Sequence, residues 1–348
     1  MDVITYQCPN CGAPLTFHSD TGKWDCEFCN SSFTKEMIDE ADQKREPAFQ
    51  PEPEPEEPDA AGLRRYTCPQ CGAEIITDAT TAATFCVFCQ NPAIMVSQLS
   101  GDFRPQKIIP FRNTREEAVA AFRRHCRRKP LLPRDFVAAG VEKLTGIYIP
   151  FWLYDCQLDG RMAAMAQRVT TWRQGSYQYT KTDHYRLSRA ARMNFVRVPA
   201  DGSSKMGDEL MDAIEPYDYS GLENFAMSYL SGFLAERYDV DSNQCFPRVE
   251  DRVKASCREL LRNSMDGYTG VQVVHEDIRL GEHRCAYALL PVWLLISRYQ
   301  GKEYLFAMNG QTGKIVGTLP ISRGRLFAWL GGLLAGLTVL LLLGGMLF

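Results

Sequence analysis

Eight cysteines of this chain fall into four CxxC pairs, and the pairs themselves repeat. Cys8-Pro9-Asn10-Cys11-Gly12 is followed, after fourteen residues, by Cys26-Glu27-Phe28-Cys29. Cys68-Pro69-Gln70-Cys71-Gly72 is followed at the same interval by Cys86-Val87-Phe88-Cys89. Each cysteine of the second set lies 60 residues after its counterpart. Tyr6 and Tyr66, Ala13 and Ala73, and Phe28 and Phe88 keep the same offset, which marks an internal duplication. Such a chain must bring four sulfurs to one point, twice, before anything else packs around them.

The chemistry of that convergence is narrow. A divalent zinc ion takes four tetrahedral ligands, and thiolates at about 2.3 Å suit it. Gly12 and Gly72 supply the positive φ that a knuckle turn tends to need. The fourteen residues between pairs are enough for a short hairpin. Residues 1–33 and 64–98 therefore read as two zinc ribbons. The expected ligands are Cys8, Cys11, Cys26 and Cys29 in the first and Cys68, Cys71, Cys86 and Cys89 in the second, giving two Zn²⁺ per chain. Four sulfurs close each site and leave no position for water or substrate, so the expected role is structural. The competing reading, a redox CxxC, needs a βαβ context that is absent. The N-terminus has neither a basic start nor an apolar core, so no signal peptide is expected. Regular CxxC pairs in a reducing compartment then indicate metal and not disulfides. The other five cysteines, Cys126, Cys156, Cys245, Cys257 and Cys285, are scattered.

Charge bears on what the ribbons touch. The chain carries a formal net charge of −3, so no global basic field draws nucleic acid. The first ribbon has four acidic residues against one lysine, and the second is balanced. Four thiolates on one zinc add roughly −2 more per ribbon. Phosphate contact needs clustered Lys and Arg. Protein-binding knuckles are the favoured reading, with Trp24, Phe28, Phe85 and Phe88 as contacts. The alternative is that these aromatics pack the small ribbon cores.

Between the ribbons, residues 34–63 hold a short helix and a linker in which Pro and Glu alternate from Pro51 to Pro58. Alternation of this kind gives an extended, self-repelling spacer, so the first ribbon is expected to move on a tether. Residues 99–322 read as an α+β body of antiparallel strands and helices. Lys107–Phe111 is a strand. Asn113 or Thr114 caps a helix that ends before Pro130 and finishes in Arg123, Arg124, Arg127, Arg128 and Lys129. That basic end is either a solvated helix terminus or a contact for anionic headgroups. Ile147–Tyr154 reads as a strand buried on both faces. Residues 161–172, 176–187 and 190–198 alternate as a meander. Helices are expected at 204–214, 221–237 and 246–264, the second from Leu222, Phe225, Ala226, Tyr229, Leu230 and Phe233 at helical spacing. Strands return at 269–279 and 285–299, and a hairpin follows over 302–319, turning at Asn309–Gly313. Ile149–Leu153 and Leu290–Leu294 echo each other as one strand type.

The chain ends in an apolar run, residues 326–348, in which Thr338 alone is polar. As a helix at about 1.5 Å per residue it spans roughly 35 Å, enough for a bilayer core of about 30 Å. A buried core helix is the other reading, but the run has no polar face. Arg323 and Arg325 precede it and nothing basic follows, which places the N-terminal part in the cytosol. The expected localisation is the bacterial cytoplasmic membrane, single-pass and tail-anchored. Gly332 and Gly336 form a small-xxx-small pair that lets two such helices approach and supports a homo-oligomer. The alternative is that they reflect the glycine content common in membrane helices.

No catalytic constellation accompanies these features. Gly310-Gln311-Thr312-Gly313-Lys314 has two residues where a phosphate loop needs four, and Ile315 where it needs Ser or Thr. None of the five histidines sits at HExxH spacing. Asp155-Cys156 and Asp183-His184 leave a Cys–His pair open, with a structural role as the alternative.

Taken together, the CPxCG ribbon, the PFWLYD stretch at 150–155, VPAD at 198–201, NGQTGKIVG at 309–317 and the terminal apolar run resemble a bacterial family of membrane-anchored proteins with TFIIB-type zinc ribbons, often labelled after the zinc-binding part of primosomal helicases. The resemblance implies an anchor working beside PspA-like (ESCRT-III-like) and SPFH-type proteins in the envelope-stress response. It does not imply helicase activity. The second ribbon and the single membrane pass depart from the usual pattern of that family. The expected protein is a cytosol-facing, non-enzymatic membrane adaptor whose ribbons recruit protein partners. The alternatives are a membrane-tethered nucleic-acid binder and a hydrolase built on the β-rich body.

Overall fold

The computed structural model describes residues 3–43, 63–139, 141 and 143–345. The Pro/Glu spacer lies outside the described residues. In chain order the first ribbon contributes β1 (Val3–Ile4), β2 (Thr16–His18), β3 (Lys23–Asp25) and β4 (Ser32–Phe33), followed by α1 (Lys35–Gln43). The second contributes β5 (Leu63–Thr67), β6 (Glu74–Asp78), β7 (Thr81–Phe85) and β8 (Pro92–Met95). The remainder holds β9 (Lys107–Ile108), α2 (Arg115–Arg127), α3 (Arg134–Ala139), β10 (Lys143–Gln174), β11 (Tyr177–Asp201), α4 (Asp208–Ala213), β12 (Glu223–Asn224) and β13 (Leu234–Glu236). It closes with α5 (Ser242–Asn263), β14 (Thr269–Tyr299), β15 (Lys302–Asn309), β16 (Ile315–Gly317) and α6 (Arg323–Gly345). The fold is α+β.

Two compact units share the chain. One comprises residues 1–149, 205–237 and 289–348, and the other 150–204 and 238–288.

In the first unit both ribbons are built into the sheet. β1 pairs antiparallel with β8, Val3 opposite Met95, and β7 pairs with β13, Ala235 opposite Ala83. β2, β3 and β4 form a small sheet of their own, as do β5 and β6. The core centres on aromatic rings: Phe111 stacks on Phe233 at 4.2 Å, and Tyr148 and Trp293 meet Phe111 edge-on. α2 begins as its sequence requires. The Thr114 hydroxyl accepts from the Glu117 amide while the Glu117 carboxylate accepts from the Thr114 amide, a capping box.

The second unit is a long ribbon of strands backed by one helix. Tyr154, Cys156, Leu158, Met162, Ala164 and Ala166 are buried in alternation along β10, and they face Cys245, Val249, Val253, Cys257 and Leu261 of α5. Period two meets period 3.6 across this seam. Gly160 lies in the same row because any Cβ there would come within 2.7 Å of the Cys257 sulfur.

Three expectations of secondary structure are corrected. Residues 221–237 form no α-helix; they are a 3-10 turn at Met227–Leu230 and short turns with β12 and β13. Their backbone carbonyls serve another element: Ser231 O accepts from the Phe17 amide and Ser228 O from the Trp24 indole. Gly232, at φ +93, breaks any helical run. The three-stranded meander is two strands, paired without a further turn from Phe151–Asp201 to Gln174–Tyr177. Gly175, at φ +63, makes the only reversal, and nothing in Leu187-Ser188-Arg189-Ala190 breaks a strand. Residues 269–299 are likewise one strand where two were expected.

The first ribbon, finally, does not ride free. Trp24, proposed as an exposed contact, is 1% exposed. Its ring lies 4.9 Å from Phe17 and 5.3 Å from Tyr229. The Ser231 hydroxyl also donates to Leu15 O. Apolar burial of this size outweighs the freedom that a spacer would allow.

Candidate metal centres

Each ribbon closes its site with two knuckles of the same build. In the first, the Gly12 amide donates to Cys8 O at 2.8 Å and the Cys8 amide to Ala13 O at 2.7 Å. The second knuckle repeats this, with the Asn30 amide to Cys26 O at 2.8 Å and the Cys26 amide to Ser31 O at 2.9 Å. Sixty residues on, Gly72, Cys68 and Ala73, then Gln90, Cys86 and Asn91, make the same four bonds at 2.8–2.9 Å. Gly12 and Gly72 take φ +73, as the turn demands, and Asn30 and Gln90 take φ +55 and +59. These last two were missed from sequence. Their signal was position alone: each directly follows its second CxxC, and Asn tolerates the left-handed region better than most residues.

The knuckles bring all eight predicted cysteines into two groups of four, with the sulfurs of each group within 4.8 Å of one another. Cys8–Cys29 and Cys11–Cys26 stand at 3.5 Å, and Cys68–Cys89 and Cys71–Cys86 at 3.7 Å. Tetrahedral thiolates at about 2.3 Å from an ion lie roughly 3.8 Å apart, so the donor set fits a metal. In each CxxC the first cysteine is buried and the second lies open to solvent. Hydrogen bonding with Ser31 lowers the Cys29 thiol to about 6. The Cys89 amide lowers Cys86 to about 7 against its burial. Against backbone bonds from Ala13 and Asn91, hydrogen bonds between the sulfurs push Cys11 and Cys89 the other way, up to about 12. One thiol of each cluster is thus favoured as thiolate, and a divalent ion would have to draw the proton from the rest.

At the tips of the second knuckles, Phe28 and Phe88 are each 76% exposed, and Val87 stands out beside Phe88. They fill neither ribbon core. Phe85 is half-buried.

The remaining candidates are structural in their surroundings. The NGQTGK stretch is a latch: the Asn309 side chain accepts from the amides of Gln311 and Thr312 at 2.9 Å and donates to Ile214 O at 3.2 Å. Gln311 brackets Asp218, accepting from its amide at 2.7 Å and donating to its carbonyl at 2.8 Å. Lys314 donates to Glu215 O. The two Pro-x-Trp stretches are used alike. Pro150 O accepts from the Gly202 amide and Pro291 O from the Gly310 amide, at 2.8 and 2.9 Å. The Trp152 and Trp293 indoles each donate to a carbonyl, of Val240 and Asn113. Cys156 and Asp155 line a cavity of about 350 Å³ with His283. Asp155, however, accepts from the Arg197 amide, and His283 stacks on Phe246 at 3.9 Å. Among the described residues no hydrogen bond joins Cys156 to a histidine.

Fold and site together define a class: a duplicated four-cysteine knuckle protein whose ribbons are integral to a mixed sheet. The chain belongs to the family of the uncharacterized protein YdjG of Bacillus subtilis (strain 168), with which it is 38% identical over 340 residues, covering 96% of this chain and 95% of that protein. No family model matches the chain, and no solved structure matches it.

Proposed function

We propose that this protein is a tail-anchored membrane adaptor, with a Zn²⁺ in each cysteine cluster and the knuckle tips as its protein-binding face. Exposed, unsupported apolar side chains carry the reading. Phe28, Phe88 and the adjacent Val87 protrude from the four-sulfur turns, apolar surface that a partner would cover. The metal is structural, since four sulfurs fill its coordination, and the protein is not an enzyme.

Support for the anchor comes from α6. Phe327, Trp329, Leu330, Leu333, Leu334 and Leu337 are all exposed, and a Cβ added at Gly331, Gly332 or Gly336 would meet nothing within 4 Å. An apolar helix that packs on nothing suits lipid, not water. The side chains of α6 are described only to Thr338; among the described residues, no helix is long and apolar enough to cross a membrane. The sequence continues apolar to Phe348, and the span we propose includes those residues, with the N-terminal part in the cytosol. Gly332 and Gly336 offer the contact for a homo-oligomer. The family resemblance points to PspA-like and SPFH-type envelope-stress proteins as partners.

The test is co-purification of the full chain with a PspA-like or SPFH-type protein from nuclease-treated membranes. Phe28→Asp with Phe88→Asp should abolish it while two zinc ions remain. Unchanged co-purification refutes the knuckle face.

One observation favours a second reading, a membrane-tethered nucleic-acid binder. The β10–β11 hairpin from Arg161 to Arg192 carries seven Arg and Lys against one Asp, and Trp172 stacks on Tyr179 at 5.5 Å on its exposed end. Cations with stacked aromatics suit single strands. Recovery of nucleic acid without protein, when the same purification is run without nuclease, decides for it.

A further inference from the structure

A cavity of about 750 Å³ opens at the root of α6, lined by Arg134 of α3, Lys302 of β15, and Arg323 and Arg325 of α6. Asp135 is its single acidic residue and Tyr304 stands in its wall. Arg325 is held in place: its guanidinium donates to Leu132 O at 2.5 Å and to Pro130 O at 3.3 Å. The Ser322 amide donates to Leu131 O at 2.9 Å. The root of α6 and the loop after α2 are therefore one piece. Arg134, Lys302 and Arg323 are exposed and make no salt bridge among the described residues.

We propose that this cavity binds a phosphate-bearing anion, supplied by an acidic phospholipid headgroup or by free phosphate. Three cations that make no salt bridge among the described residues line one hollow, and guanidinium groups match phosphate oxygens in pairs. The amino end of α6 adds positive potential in the same place. The loop that carries the Arg325 contacts follows directly on the exposed run Arg123, Arg124, Arg127, Arg128 and Lys129. That run attracts an anionic surface without selecting a headgroup, whereas the cavity confines one. The lipid source rests on the anchor reading, because Phe327, 70% exposed, begins the apolar surface within a turn of Arg323. The anion site itself does not depend on that reading.

The experiment uses the full chain in neutral detergent, titrated calorimetrically with dihexanoyl phosphatidylglycerol, dihexanoyl phosphatidylcholine and inorganic phosphate. Phosphatidylglycerol binds, and Arg134→Gln with Lys302→Gln weakens it about thirtyfold, at about fivefold per basic residue beside an anionic surface. Zinc content unchanged at two per chain shows that the variant is folded. Inorganic phosphate that competes equally assigns the site to free phosphate; failure to compete assigns it to the headgroup. No binding of either anion, or a double variant that binds like the parent, overturns the proposal. If the chain does not sediment with membranes while phosphate still binds, the anchor reading fails and the anion site stands.

Discussion

Trp24→Ala tests whether the first ribbon is fixed or mobile. The indole is almost fully buried, and its Nε1 donates to Ser228 O at 2.8 Å. Burying an aromatic of this size removes about 150–250 Å² from water, or about 4–6 kcal/mol at about 25 cal/mol/Å². Part of that burial lies within the ribbon itself, against Phe17. Large-to-alanine changes at such sites cost about 3–5 kcal/mol, and the abandoned Ser228 carbonyl adds roughly 1 kcal/mol. A loss of about 3–5 kcal/mol from the docked state accelerates exchange through ribbon opening by about two to four orders of magnitude. The reporter is the Phe17 amide, bonded across the contact to Ser231 O at 3.0 Å, followed by hydrogen exchange. Zinc content should stay at two, since no cysteine touches the change. Phe28→Ala, at an exposed tip, should leave the rate unaltered. A Phe17 amide that exchanges at the parental rate in Trp24→Ala would refute the reasoning.

Four further outcomes follow from the same geometry. Gly232→Ala should release the ribbon from the opposite side, because a Cβ there comes within 2.4 Å of Thr16 Cγ2 at φ +93; the Phe17 amide is again the readout. Cys71→Ser should lower zinc from two to one per chain by elemental analysis, leaving the first cluster filled, since each site has its own four sulfurs. Burial alone would raise the Asp78 carboxyl, but bonds from Lys205, Thr81 and Thr80 hold it well below the usual carboxylate range. A depressed folded pKa means stability present above about pH 4 and lost as pH falls through the folded value. Denaturant melts from pH 7 to pH 2 should therefore show an acid-sensitive component that Lys205→Met reduces, with the Thr80 and Thr81 bonds keeping the remainder. Gly332→Leu should reduce crosslinked dimers of the membrane-embedded chain, and an unchanged dimer yield would exclude the glycine contact.

The metal clusters were legible in the sequence because spacing and chemistry coincide there: two sulfurs three residues apart can turn to one point, and the 60-residue echo says so twice. The α5 helix and the 302–319 hairpin were legible for similar reasons, a regular period in one and Asn309–Gly313 turn chemistry in the other. Residues 221–237 were not. Their apolar spacing imitates a helix, but Tyr229 and Phe233 face Phe17, and backbone groups that a helix would use internally bond to the first ribbon. That demand comes from residues more than 200 positions away and leaves no local trace. Trp24 was misplaced for the same reason, since a small ribbon offers no hint of the surface that will cover its tryptophan.

Neither compact unit is a continuous stretch of chain. β10 leaves the first at Ile149 and enters the second at Pro150, and β14 returns between Ala288 and Leu289. No terminal deletion can therefore yield the first unit whole, and trimming to 150–288 keeps the second only with residues 205–237 of the first still between its two parts. Cutting the chain anywhere between those strands leaves an aromatic core without half its rings or a helix without its sheet. In this chain neither unit can be removed as one contiguous segment without cutting into the other.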